Sequence, residues 1–267
     1  MLVLIFLEVS NGLLPNTGLP SWIGHDYRTY VGAADRWLEG GSYYHPYQLT
    51  GPYPVVDAEI LYPPLALLLF APFTVLPAIL WWAIPLGIIG AIAVSWRPHA
   101  IGWALILMCI ALPTSSRFPW DPGWSIDYIL NGNPGIWTAA AVALATRWSV
   151  FGPVALLKIT LAPFALVGIR DRSWWLGLLA LGVVSVPFGS MWLEYVTALS
   201  NARTNGPSLL YSLHNVPLML IPLIAWASSQ RRQSGIGRRA LARMADLRRA
   251  RTTPPTSGPP EDGRRQA

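Results

Sequence analysis

From residue 63 to residue 94 the chain is apolar for longer than one membrane crossing needs, and no charged side chain interrupts it. A hydrocarbon layer takes about 20 apolar residues in a helix. Lipid leaves no water for unpaired backbone, so such runs fold as helices. Pro72, Pro77 and Pro85 break this one, which predicts a short or re-entrant piece over 64–76 and a full span over 78–94. Further apolar segments lie at 100–112, 135–145, 150–167, 174–188 and 214–227. Charged residues make up 12% of the chain, well below the quarter typical of soluble domains. The expectation is an all-α, polytopic transmembrane helical bundle of about seven to nine membrane segments, some of them re-entrant or broken. Fourteen Trp suit the two interfacial belts where indole rings sit half wet.

Two ends depart from this pattern. Residues 1–14 are apolar but short, Glu8 interrupts them, and no basic residue precedes them. They read as a truncated first transmembrane helix rather than a signal peptide. From Arg231 onward ten arginines face Asp246, Glu261 and Asp262. That excess exceeds the whole net charge of +6, so the high isoelectric point describes a tail. The expected division is a membrane domain over 1–230 and a basic tail over 231–267. In the tail, 237–250 suits the inner leaflet and the Pro-, Gly- and Ser-rich end suits disorder. A basic end on such a chain is a topology signal, which speaks against nucleic acid as partner. Cys109 stands alone inside an apolar segment, and no metal-ligand spacing occurs, so neither a metal nor a cofactor is expected.

Arg97, Arg147, Arg170, Arg172, Arg231 and Arg232 form short basic clusters that belong on the cytoplasmic side. Three polar stretches, 15–62, 113–134 and 189–213, then face outward and hold Asp26, Asp35, Glu39, Asp57, Glu59, Asp121, Asp127 and Glu194. Arg147 and Arg170 share a side only if the segment around Lys158 enters and returns as a broken hairpin. Such backbone is tolerated where it lines a protein-enclosed or wet cavity.

Within the first polar stretch, 30–38 suits a short interfacial helix that ends at Gly40-Gly41. Asp26 follows an apolar segment and is flanked by His25 and Tyr27. A carboxylate at a membrane boundary can take a proton from an acceptor hydroxyl; the plainer alternative is a solvated loop aspartate. Lys158 is the only lysine, and a charge in mid-segment costs about 3 kcal/mol unless it faces a cavity. There it can hold a phosphate; the alternative is snorkelling to the interface. Arg117, Arg203 and His214 are candidates for phosphate contact at the outer face, or plain loop residues. Tyr62-Pro63-Pro64 sets how the chain enters the next helix. Gly132-Asn133-Pro134-Gly135 is a loop-to-helix turn whose amides are placed to meet an anion. No nucleotide-binding glycine fingerprint and no Ser-His-Asp signature stand out.

The segment HDYRTYVGAADRWLEGGSYY, followed by YPPLALLLFAPFTVLP, resembles the first outer loop and re-entry of polytopic glycosyltransferases of the GT-C class. The likeness is strongest to the GT87 (DUF2029) group, the polyprenol-phosphate-mannose-dependent α-(1→2)-mannosyltransferases. Asp26, Tyr30, Ala33, Ala34, Gly40, Gly41, Tyr43 and Tyr44 match that family's first block, and Tyr62 to Leu65 its "YPPL". GNPGIWTAAAVAL is similar to the family's Gln-bearing helix start, with Asn133 where the family has Gln, and ALLKITLAPF to its Lys-Pro hairpin. The resemblance implies an inverting hexosyl transfer at the outer face of the plasma membrane. Asp26 would be the base, and Lys158, Arg117, Arg203, His214, Tyr30, Tyr62 and Asn133 would bind the substrates. The donor would be a polyprenyl-phosphate sugar, with mannose the expected hexose, and the acceptor a cell-envelope glycolipid or glycan. Two other readings use the same cavity: a transporter of lipid-linked sugars, and a non-catalytic partner of a larger transferase.

Overall fold

A computed structural model describes residues 23–55, 59–111, 125–203 and 215–229. These residues are predominantly helical. The expected short first segment and basic tail, and with them Asp57, Arg117, Asp121 and His214, lie outside the described residues.

Helix α1, His25–Leu38, is an amphipathic helix that buries Tyr30, Ala33 and Ala34. It starts earlier than the expected 30–38, so Asp26 belongs to its first turn. A carboxylate there is favoured by the helix dipole. The chain then leaves through Gly40, whose φ of 87° suits a residue without Cβ. A short helix α2, Pro46–Thr50, and a strand β1, Tyr53–Pro54, follow.

The run from residue 63 breaks around Pro72 and Pro77 as expected, but not at Pro85. Two 3-10 turns, Pro64–Ala66 and Ala71–Thr74, flank one helical turn α3, Leu67–Phe70. Helix α4 covers Ile79–Trp96 and contains Pro85; α5 covers Ala100–Ala111, α6 Ser125–Asn131 and α7 Gly135–Ala145. The segment around Lys158 is broken as its prolines predict: a 3-10 run Ser149–Leu157, a 3-10 turn Ile159–Leu161, and one helical turn α8, Ala162–Ala165. Helix α9, Arg172–Ser185, passes through the 3-10 turn Val186–Phe188 into α10, Gly189–Asn201. The last helix is α11, Val216–Ala227.

Helix α10 corrects the expectation of a polar loop over 189–213. Tyr195 and Ala198, three residues apart, are buried, so this stretch is a helix with one face inward, in which Glu194 is one polar position. The described residues are consistent with the expected all-α class; the sheet among them is one two-residue pair, in which β2, Ala202–Arg203, lies parallel to β1, with Tyr53 opposite Ala202 and Pro54 opposite Arg203.

Helix α7 is the centre of the core. It packs against α4, α11 and the 3-10 run Ser149–Leu157. Nine of its residues are buried, among them the unbroken series Ala139, Ala140, Ala141, Val142 and Ala143. Small side chains let neighbouring backbones approach closely from every side. Among the described residues two helices are long and apolar enough to cross a membrane, Ile79–Trp96 and the joined Arg172–Asn201. Only 33% and 11% of their apolar windows are buried inside the protein, so most of that apolar surface points outward. Leu176, Leu179, Val183, Val186 and Leu193 are all exposed. Apolar patches of this kind on a soluble monomer are rare.

Glycine sets how closely α9 approaches its neighbour. A methyl group on Gly177 would strike the Val150 carbonyl oxygen, whereas at Gly182 no heavy atom lies within 4 Å. Gly177→Ala should therefore destabilise the protein by about 1–3 kcal/mol. Gly182→Ala should be neutral or stabilise it by up to about 1 kcal/mol. Melting temperatures of the two purified variants check the pair; equal shifts would contradict this packing.

Candidate functional site

The turn before α7 carries the site. Trp81 donates its indole N–H to the Gly132 carbonyl at 2.9 Å, and Trp82 to the Ile129 carbonyl at 2.6 Å. The Gly24 amide reaches the Leu130 carbonyl at 2.9 Å. The Asp26 amide reaches Asn131 Oδ1 at 3.2 Å. Gly132 has a φ of 78°, and a Cβ there would lie 2.8 Å from that of Tyr27. The turn is thus gripped between the start of α1 and the indoles of α4, and only glycine fits its tightest point.

Asn133 projects from this turn and is 5% exposed. Its Oδ1 accepts from the Gly135 amide at 2.9 Å and from Lys158 Nζ at 3.0 Å. Its Nδ2 donates to Asp26 Oδ2 at 2.6 Å. The partners fix the orientation of the amide, because both donors face its oxygen and the carboxylate faces its nitrogen. One neutral side chain therefore joins an acid and a base that lie 107 residues and 25 residues away from it.

Lys158 is 6% exposed. Its backbone is extended, φ −120° and ψ 91°, at the junction of the two 3-10 pieces. That break turns the side chain towards the bundle. The ammonium also sits 5.6 Å from the centroid of the Tyr62 ring, a cation–π distance. Tyr30 supports that ring edge-on at 4.9 Å and stacks on Phe70 at 5.3 Å. Tyr44 donates its hydroxyl to the Tyr62 carbonyl at 2.9 Å. An ammonium has three N–H groups; among the described residues one oxygen and one aromatic face meet it. The arrangement is suited to receive an anion beside the cation and to hold a carboxylate in reach of a proton.

Five of the residues singled out in the sequence thus come together: Asp26, Asn133, Lys158, Tyr62 and Tyr30. Arg203 does not join them. It is exposed at the end of β2, and its guanidinium donates to the Ser200 and Ala202 carbonyls at 2.7 and 3.3 Å. Arg117 and His214 lie outside the described residues. The expected anion site on the amides of the Gly132–Gly135 turn is corrected: the amides of residues 135 to 138 already bond to Asn133 Oδ1 and to the carbonyls of Asn133 and Pro134.

Two asparagines escaped the reading of the sequence. Asn131 holds the first turn of α1. Asn215, 1% exposed, brings Oδ1 against Gly135, and that oxygen has no hydrogen-bond partner. A signal existed for Asn215, an amide directly before an apolar helix, where capping side chains belong, although its side chain makes no cap bond here; Asn131 ends a helix and carried no such signal. Among the described residues no three His, Cys, Asp or Glu side chains gather as a metal site would require. No family model, no curated protein and no solved structure matches this chain.

Asn133→Leu should take one oxygen from the ammonium and one donor from the carboxylate, at about 3–5 kcal/mol. The double variant with Lys158→Met should lose less than the two single losses together, by about 0.5–3 kcal/mol. A double-mutant cycle of unfolding free energies gives the answer; strict additivity would mean that the two side chains do not interact.

Proposed function

We propose that this chain is a polytopic membrane glycosyltransferase with its catalytic site at the outer face of the plasma membrane and its tail in the cytoplasm. It moves a hexose, mannose in the favoured reading, from a polyprenyl-phosphate sugar to a cell-envelope lipid or glycan. The observation that carries the reading is the shared amide: Asp26 and Lys158, chosen from the sequence for opposite tasks, meet on the two ends of Asn133. The outward-facing apolar surface of the two long helices supports the membrane setting.

The chemistry divides between the two charges. Asp26 takes the proton of the acceptor hydroxyl as that oxygen attacks the anomeric carbon. The bond from that carbon to the phosphate oxygen breaks, and the polyprenyl phosphate leaves with the electron pair. Lys158 meets the growing negative charge on the leaving group in a site from which water is largely excluded, where such a contact counts for most. Asn133 holds the two in register and touches neither reacting atom. The aromatic wall of Tyr62 and Tyr30 gives the sugar an apolar side to lie against.

Asp26→Asn keeps an oxygen for Asn133 Nδ2 but removes the base. It should lower transfer by about 10²–10⁴-fold while the melting temperature changes little. Membranes supplied with radiolabelled polyprenyl-phosphate mannose provide the assay. Wild-type rates in the variant would remove Asp26 from the mechanism.

A further inference from the structure

Away from the Asp26 cluster, the segment between α1 and the re-entry at residue 63 folds into a small aromatic module of its own. Gln48, fully buried, is its hub. Its Nε2 donates to Tyr53 Oη at 3.1 Å and to the Ile60 carbonyl at 3.3 Å, and its Oε1 accepts from the His45 amide at 2.9 Å. Its own carbonyl accepts from Asn201 Nδ2 at 3.0 Å, and Tyr53 Oη donates to the Ala198 carbonyl at 3.0 Å. The module is therefore rigid and clamped to the end of α10.

On this base three side chains stand together that the packing does not require. Glu59 is 7% exposed, and its Oε2 accepts from Tyr47 Oη at 2.9 Å. Tyr47 supplies the only hydrogen bond to this carboxylate among the described residues. A carboxylate accepts up to four hydrogen bonds, so Glu59 keeps acceptor capacity beside the one from Tyr47. Burial raises its pKa, and the Tyr47 hydroxyl opposes that rise. The Tyr47 ring is nevertheless 48% exposed. It is pinned by its hydroxyl, lies parallel to the His45 ring at 5.3 Å, and meets Tyr53 edge-on at 5.8 Å. A held, half-exposed aromatic ring beside an under-used acceptor matches one ligand chemistry well. A saccharide offers an apolar C–H surface to the ring and hydroxyl donors to the carboxylate.

We infer that His45, Tyr47 and Glu59 form a carbohydrate-binding site on the outer module, distinct from the Asp26–Asn133–Lys158 cluster, that receives the glycan portion of an acceptor. Its place as an acceptor site rests on the glycosyltransferase reading; saccharide binding itself does not. Tyr47 carries the stacking, His45 backs it, and Glu59 accepts from a ring hydroxyl. The Tyr47 hydroxyl fixes the carboxylate, so the site is pre-organised and binding costs little ordering.

The test uses the full chain in phosphatidylcholine nanodiscs, which contain no sugar detergent, with α-(1→2)-mannobiose as probe and saturation-transfer NMR as readout. The wild type should bind. Tyr47→Ala and Glu59→Gln should each weaken binding about tenfold or more, and Tyr47→Phe, which keeps the ring but releases the carboxylate, should weaken it less than Tyr47→Ala. Asp26→Asn should bind like the wild type although it has lost transfer. Binding that depends on Tyr47 in a protein that transfers no sugar would leave this site standing and remove the enzyme reading. No saturation transfer to wild-type protein, or equal binding by Tyr47→Ala, would overturn the site.

Discussion

A buried ammonium is tolerable only beside an oxygen that faces it, and in this protein that oxygen belongs to Asn133. The same amide spends its nitrogen on Asp26, so one planar group is polarised from both ends. Its geometry leaves little freedom. Rotation of the amide would set N–H against N–H and carbonyl against carboxylate. The remainder of the bundle is arranged to hold that plane still. Indoles from α4 clamp the turn, glycine allows its left-handed step, and alanines of α7 bring the surrounding helices close.

Much of this could be read in the chain alone. The apolar segments, their breaks at proline, and the turn at Gly132–Gly135 are local matters of composition and backbone chemistry. Lys158 declared itself as the only lysine, placed where an unpaired charge is costly. What the sequence withheld was pairing. Nothing local says that Asn133 reaches back 107 residues to Asp26, or that an extended residue between two 3-10 pieces aims Lys158 at it. Helix α10 was hidden for a different reason. A Glu and several polar residues look like a loop when neighbouring segments are uniformly apolar, although the spacing of Tyr195 and Ala198 is helical. Asn215 stayed hidden because its importance lies in burial against Gly135, not in its charge.

Among the described residues two groups of aromatic side chains meet through a hydrogen bond, one within the first polar stretch and one that runs from it into the apolar helices. Tyr30, Tyr62, Phe70, Phe73, Trp81 and Trp137 form a chain of edge and tilted contacts beneath the charged cluster. Tyr43, Tyr44, Tyr47 and Tyr53 belong to the module between α1 and residue 63. The Tyr44 hydroxyl on the Tyr62 carbonyl is the seam between them. Rings supply large area with few rotatable bonds, so a polar stretch rich in tyrosine becomes rigid without a wide hydrophobic core.

The joined rod of Arg172–Asn201, 30 residues, would measure about 45 Å as straight helix, against about 30 Å of hydrocarbon. If the rod crosses a bilayer, its far end would stand clear of the acyl chains, where Asn201 and the strand after it grip the aromatic module. Membrane thickness would then act on that grip as a mechanical load: a thicker layer would draw the rod upright, and a thinner one would tilt it.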